Sequence, residues 1–141
     1  MPIIKELNFN EDFSQTDQEY AVYRNADKCY MFSDGGDTTI VDIFKDGNAF
    51  ESSYIGSLSY FMEDDIPRID LAIVDEKERG KGVMTDLYSF LVDLYGILAS
   101  DIQMTKSAQR MWKKLSNKYK LTEENLEGDI ENGPTRYILR K

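Results

Sequence analysis

The chain has 141 residues and a mass of 16.3 kDa, enough for one hydrophobic core, since a chain of this size buries roughly two-thirds of the surface its unfolded form exposes. Its 41% hydrophobic, 12% aromatic and 30% charged residues are those of a globular domain, not of a disordered chain. A net charge of -9 argues against a general nucleic-acid binder, which needs a basic surface, and the absence of His excludes imidazole-based proton transfer, a Ser-His-Asp triad and imidazole metal sites. The acid is uneven: Met1 to Asp70 carry 15 acidic and 5 basic side chains, a net of -10, whereas Leu71 to Lys141 carry 11 and 12, a net of +1. A lone Cys29 makes no internal disulfide, and no stretch approaches the roughly 20 apolar residues of a membrane span. A single domain over residues 1–141, cytoplasmic and without a membrane partner, is the expectation.

In chain order, Pro2 to Leu7 reads as a short edge strand. Asn8 or Asn10 can cap a following helix in which Phe13, Tyr20 and Tyr23 recur at spacings of seven and three, up to about Asp27. Gly35-Gly36-Asp37 breaks the chain before the β-branched, alternating run Thr38 to Lys45. Asp46-Gly47-Asn48 is a hairpin turn signal, because glycine accepts the positive φ of tight primed turns. Ser53 to Met62 reads as the next strand, Glu63-Asp64-Asp65 as an acidic turn, and Arg68 to Val74 as a strand introduced by Pro67.

Beyond Val74 a polar loop, Asp75 to Lys81, leads into an amphipathic helix whose apolar positions are Val83, Leu87, Phe90, Leu91 and Leu94, with Gly96 at its end. Ile97 to Met104 reads as a buried strand. Thr105 can cap a second helix, through Lys118, that turns Ala108, Met111, Trp112 and Leu115 inward. Tyr119 to Leu121 and Thr135 to Leu139 are expected as strands around an acidic loop from Thr122 to Gly133. The order is that of an α+β domain with a mixed sheet. A strand entering a glycine-containing loop that opens a helix points backbone N–H groups at an anion.

Arg79-Gly80-Lys81-Gly82-Val83-Met84 resembles the acetyl-CoA-binding motif of the GNAT superfamily of N-acetyltransferases, Gln/Arg-x-x-Gly-x-Gly/Ala between a central strand and a helix. Ser107-Ala108-Gln109-Arg110-Met111-Trp112-Lys113-Lys114-Leu115 is similar to the family's Asn-x-x-Ala-x-x-x-Tyr-x-x-Leu helix. Ser100-Asp101 with the Trp-Lys-Lys-Leu helix looks like the small GNAT-like proteins of tailed bacteriophages, which implies a bacterial or phage-infected cell. The resemblance implies an α/β/α fold whose central mixed, mostly antiparallel sheet splays at the CoA site. It implies acetyl-CoA as co-substrate and no metal. The backbone of Ile73 and Val74 would pair with the pantetheine arm, and Arg79, Gly80, Lys81, Gly82, Val83 and Met84 would surround the pyrophosphate.

Two positions depart from the pattern. Met84 stands where Gly or Ala is preferred. Trp112 stands where the family's Tyr would protonate the leaving thiolate, and an indole N–H does not titrate in the working range. Tyr119 is the substitute acid to consider. For a general base Asp70 is the first candidate, with Glu63, Asp64 and Asp65 as others; the alternative for each is a solvated or Arg-paired carboxylate. An acidic first half suits a cationic amine acceptor, such as a polyamine or a protein lysine. Two functions follow: a CoA-dependent N-acyltransferase, or a catalytically degenerate GNAT-fold protein acting by contact with a basic protein or within a virion. A homodimer is compatible with both.

Overall fold

A computed structural model describes residues 20–25, 27–45, 53–101, 106–125 and 135–141. The strand expected at Pro2 to Leu7, the Asn8 and Asn10 caps, Phe13, the Asp46-Gly47-Asn48 turn and Thr105 lie outside them. The described residues form eight strands and two helices: β1 (Tyr20–Asn25), β2 (Lys28–Asp34), β3 (Thr39–Phe44), β4 (Tyr54–Glu63), β5 (Ile66–Val74), α1 (Val83–Tyr95), β6 (Ile97–Ala99), α2 (Lys106–Lys114), β7 (Lys120–Asn125) and β8 (Thr135–Arg140). The strand order is β1-β2-β3-β4-β5-β6-β8-β7. The sheet is mixed: β5 and β6 run parallel, while the β1–β2, β2–β3, β3–β4, β6–β8 and β7–β8 pairs are antiparallel. The α+β class expected from the sequence is the class observed.

The chain forms two compact units, which share the continuous strands β4 and β5. The first holds β1 to β3, β4 up to Phe61, and Leu71 to Val83. Its core is Tyr30, Phe32, Val41, Ile43, Leu58 and Tyr60, all at most 2% exposed. A smaller cluster of Val22, Cys29 and Phe44, flanked by Met31, packs separately. Tyr20 and Tyr23 belong to a strand, not a helix, and Lys28 to Asp34, where no element was expected, is its partner. A few aromatic spacings satisfy either period, and cross-strand pairing decides: Tyr23 sits opposite Tyr30 with the rings stacked at 5.3 Å.

The second unit holds Met62 to Asp70 and everything from Met84 onward. Leu87, Tyr88, Leu91 and Val92 are the buried face of α1 within it, so the stripe is rotated from the expected one; Phe90 and Leu94 are only half-buried. Tyr88 supplies the reason, packing its ring against Trp112 of α2 at 5.0 Å. Trp112 is 1% exposed and is the core anchor of α2, with Leu115 buried in the following single turn. Ser100 continues the β6–β8 pairing with its side chain: Tyr137 N–H donates to Ser100 Oγ, and Ser100 N–H to the Tyr137 carbonyl, both at 2.8 Å. Thr122 to Asn125 belong to β7 rather than to the acidic loop, whose remainder lies outside the described residues. Among the described residues no helix is long and apolar enough to cross a membrane.

Candidate active site

Strand β5 changes character halfway. Pro67 and Ile69 are buried, whereas Leu71 and Ile73 are 54% and 53% exposed and Asp70 and Ala72 are exposed as well. Of the alternating apolar residues Ile69, Leu71 and Ile73, only Ile69 is therefore core. The β5–β6 ladder consists, among the described residues, of one parallel pair, Arg68 with Ala99, while β5 runs on for six more residues. The last part of β5 thus carries exposed apolar side chains, the feature expected of a strand parted from its neighbour.

On its other side this segment is held close. β4 has a bulge at Ile55, where the register with β3 shifts between Ile43 and Phe44, and the Ile55 carbonyl accepts the Asp75 N–H at 2.8 Å. Gly56 follows. A Cβ on Gly56 would lie 2.4 Å from the Ile73 carbonyl oxygen and 3.1 Å from Val74 Cα, so only glycine permits this approach of β4 to the end of β5. A lone glycine inside a strand pattern is the sequence signal of such a bulge or close backbone contact.

The glycine loop begins with the single turn Glu76–Glu78 and an extended Arg79. Gly80 and Gly82 have φ of 79° and 80°, with open space around each, so conformation rather than room requires glycine there. Val83 then opens α1, whose first-turn N–H groups have no carbonyl partner within the helix and form its positive end. Val83 is anchored by burial, and its carbonyl accepts the Tyr30 hydroxyl at 3.4 Å. Arg79 folds back, its Nε donating to the Val74 carbonyl at 3.1 Å. Glu78, whose side chain is only 12% exposed, joins two ammonium groups: Lys81 Nζ lies 3.3 Å from one oxygen and Lys45 Nζ 3.9 Å from the other. Met84, the second residue of α1, is half-buried.

The acid–base candidates fall apart by environment. Glu63 is engaged on both oxygens, by Arg68 at 3.1 Å and Arg136 at 3.2 Å, the Arg-paired carboxylate that was the alternative to a base. Asp64 and Asp65, with φ of 54° and 65°, are the two residues of the β4–β5 turn. Asp70 is an exposed carboxylate on β5, four residues before Val74. The Tyr119 hydroxyl is 2.8 Å from Asp93 Oδ1 and 3.1 Å from the Ser89 carbonyl, a tie to the C-terminal part of α1, the opposite end of that helix from Val83. Tyr88 is buried, and burial, aided by the Asp101 charge, pushes its phenol well above the usual range.

No protein-family model matches the sequence, and no curated protein does. Solved structures do match the fold. An acetyltransferase of the GNAT family from Staphylococcus aureus superposes with a TM-score of 0.53 at 10% identity, over 73% of this chain and 67% of the other. An acetyltransferase from Salmonella typhimurium that modifies the N-terminal serine of the ribosomal protein L7/L12 gives 0.50 at 16% identity, over 75% of this chain and 64% of its own length. The chain has the fold of the GNAT acetyltransferases.

Proposed function

We propose that the protein is an acyl-CoA-dependent N-acyltransferase that moves an acetyl group from acetyl-CoA to the amine of a cationic small molecule or a protein lysine. The observation that carries this reading is the loop itself. Gly80 and Gly82, both at positive φ, join the exposed end of β5 to the first turn of α1 in a chain of GNAT fold. Such a loop brings backbone N–H groups and the helix dipole to a pyrophosphate, with Arg79 and Lys81 adding charge. The backbone of Ile73 and Val74 would pair with the pantetheine amides as an added strand does.

In the reaction the amine nitrogen attacks the thioester carbonyl carbon, the carbon–sulfur bond breaks, and the sulfur leaves as thiolate. A thiol of ordinary pKa, about 8.5, leaves without full protonation, and with the Tyr119 hydroxyl engaged elsewhere we assign no acid. The ammonium acceptor must first lose a proton, and Asp70 is the carboxylate we assign to take it, directly or through water; the second proton, shed by the nitrogen as the amide forms, passes to water or to the departing thiolate. The net charge of -10 over residues 1–70 favours a cationic acceptor.

A calorimetric titration should give micromolar binding of acetyl-CoA, abolished by Gly82→Trp, and a thiol-release assay across polyamines and lysine peptides then identifies the acceptor. Asp70→Asn with an unchanged rate would refute the base assignment. One observation favours a second reading, a GNAT-fold protein that binds a basic partner without catalysis. Trp112, where the family has its acidic Tyr, is buried against Tyr88 and has no proton to give. No heat and no thermal shift at millimolar acetyl-CoA would decide for it.

A further inference from the structure

We infer that Lys45, at the end of β3, is a second anion-binding arm of the glycine loop and that it recognises the phosphate monoester on the ribose 3′ carbon of CoA. The inference rests on the reading of the loop as a CoA site and adds a residue that lies outside the loop motif by more than thirty positions.

Three observations support it. First, Lys45 and Lys81 share the carboxylate of Glu78, so their two ammonium groups are held one carboxylate apart, with two positive charges facing one negative. The pair carries a surplus charge, and a second anionic group is its natural complement. Second, Lys45 is placed rather than trailing. Its N–H donates to the Ser53 carbonyl at 2.8 Å, two residues before the Ile55 bulge whose carbonyl holds Asp75 at the entry to the loop. Third, cations are scarce in this part of the chain. Residues 1–70 carry only five, and two of them, Lys28 and Lys45, come together here, because the pairing of Cys29 with Phe44 puts Lys28 next to Lys45 across the strands. Lys28 is neutralised by Asp27 at 2.8 Å, and the Lys81 charge also reaches Asp27. Lys45, 43% exposed and shared only loosely with Glu78, is the lysine left to reach a ligand.

CoA offers two anionic groups on its nucleotide end, the pyrophosphate and the 3′-phosphate. The glycine loop, the start of α1 and Lys81 account for the first. Lys45, just beyond the end of β3 and one carboxylate away, is positioned for the second. The recognition is that of a point charge meeting a dianion, so it should discriminate CoA from its 3′-dephospho form.

Calorimetric titration of the full chain with CoA and with 3′-dephospho-CoA tests this, using wild type, Lys45→Met and Lys45→Arg. Wild type should bind CoA about tenfold tighter than dephospho-CoA. Lys45→Met should weaken CoA by about the same factor, leave dephospho-CoA unchanged and melt at the wild-type temperature, and Lys45→Arg should restore most of the preference. Equal wild-type affinity for both ligands, or equal weakening of both in Lys45→Met, overturns the role of Lys45 while leaving the CoA site standing. Failure of wild type to bind either ligand overturns the CoA reading and this inference with it.

Discussion

Gly56→Ala is the smallest change that should break the candidate site from below. The added methyl would sit 2.4 Å from the Ile73 carbonyl oxygen, where an ordinary contact needs 3.4 Å or more, so β4 and β5 would have to part by about 1 Å locally. The obstacle is backbone, with Val74 Cα at 3.1 Å and the Ile73 carbonyl carbon at 3.4 Å, and it cannot rotate away as a side-chain tip could. Overpacking of this kind costs about 1–3 kcal/mol, and the upper end applies because the strain falls on the segment that also carries the Asp75 to Ile55 hydrogen bond. Urea unfolding should show the loss as a lower midpoint at unchanged slope. Because the displaced residues are Ile73 and Val74, CoA affinity should fall as well, measured by calorimetry at a temperature where the variant is folded. A variant within 0.5 kcal/mol of wild type and binding CoA normally would refute the claim that close backbone approach at Gly56 sets the end of β5.

Three further outcomes follow from other parts of the chain. The Asp64-Asp65 turn holds two non-glycine residues at positive φ, the geometry for which Asn-Gly is preferred; Asp65→Gly should raise stability by about 0.5–1 kcal/mol, and a lower unfolding midpoint would show that Asp65 is held there by something other than the turn. Burial raises the Asp42 carboxyl above its usual range, so the native protein holds that proton more tightly than the unfolded chain, and stability falls as pH rises from about 3.9 through the raised folded value. Asp42→Asn should therefore stabilise at pH 7 and give no gain at pH 3 in thermal unfolding; the same change at both would contradict the assignment. Ser100→Ala removes the acceptor for the buried Tyr137 N–H and should cost about 1–3 kcal/mol, seen in urea unfolding; a loss below 0.5 kcal/mol would mean that the strands re-pair without it.

How far the site was legible differs residue by residue. Gly80 and Gly82 were legible because a positive φ is written in the residue type itself, and the strand-loop-helix order around them is a matter of local periodicity. Strand β1 was not, since Tyr20 and Tyr23 fit a helical spacing as well as a strand, and only the pairing with β2, a partner the reading left unassigned, resolves them. Leu71 and Ile73 alternate with the buried Ile69, but alternation marks which residues share a face, not whether anything covers that face. Glu63 was read as a base candidate because its two arginines, five and 73 residues away, meet it only in the folded chain. The Lys45–Glu78–Lys81 bridge is hidden for the same reason: its ends are 36 residues apart, and no sequence spacing records an ion pair between separate loops.

Three of the cations at the glycine loop already have partners in the protein: Arg79 on the Val74 carbonyl, Lys81 and Lys45 on Glu78. A phosphate ligand bound there would compete with these contacts. A doubly charged phosphate offers charge-assisted hydrogen bonds at least as strong to the same groups. The Arg79 contact has a further effect. The Val74 carbonyl that it caps is the one assigned to the pantetheine arm, so Arg79 competes with the arm for that oxygen, and the pyrophosphate is the group that can draw it away. Filling the phosphate end of the site would thus free the strand end, and the two halves of a CoA molecule would bind better together than either does alone.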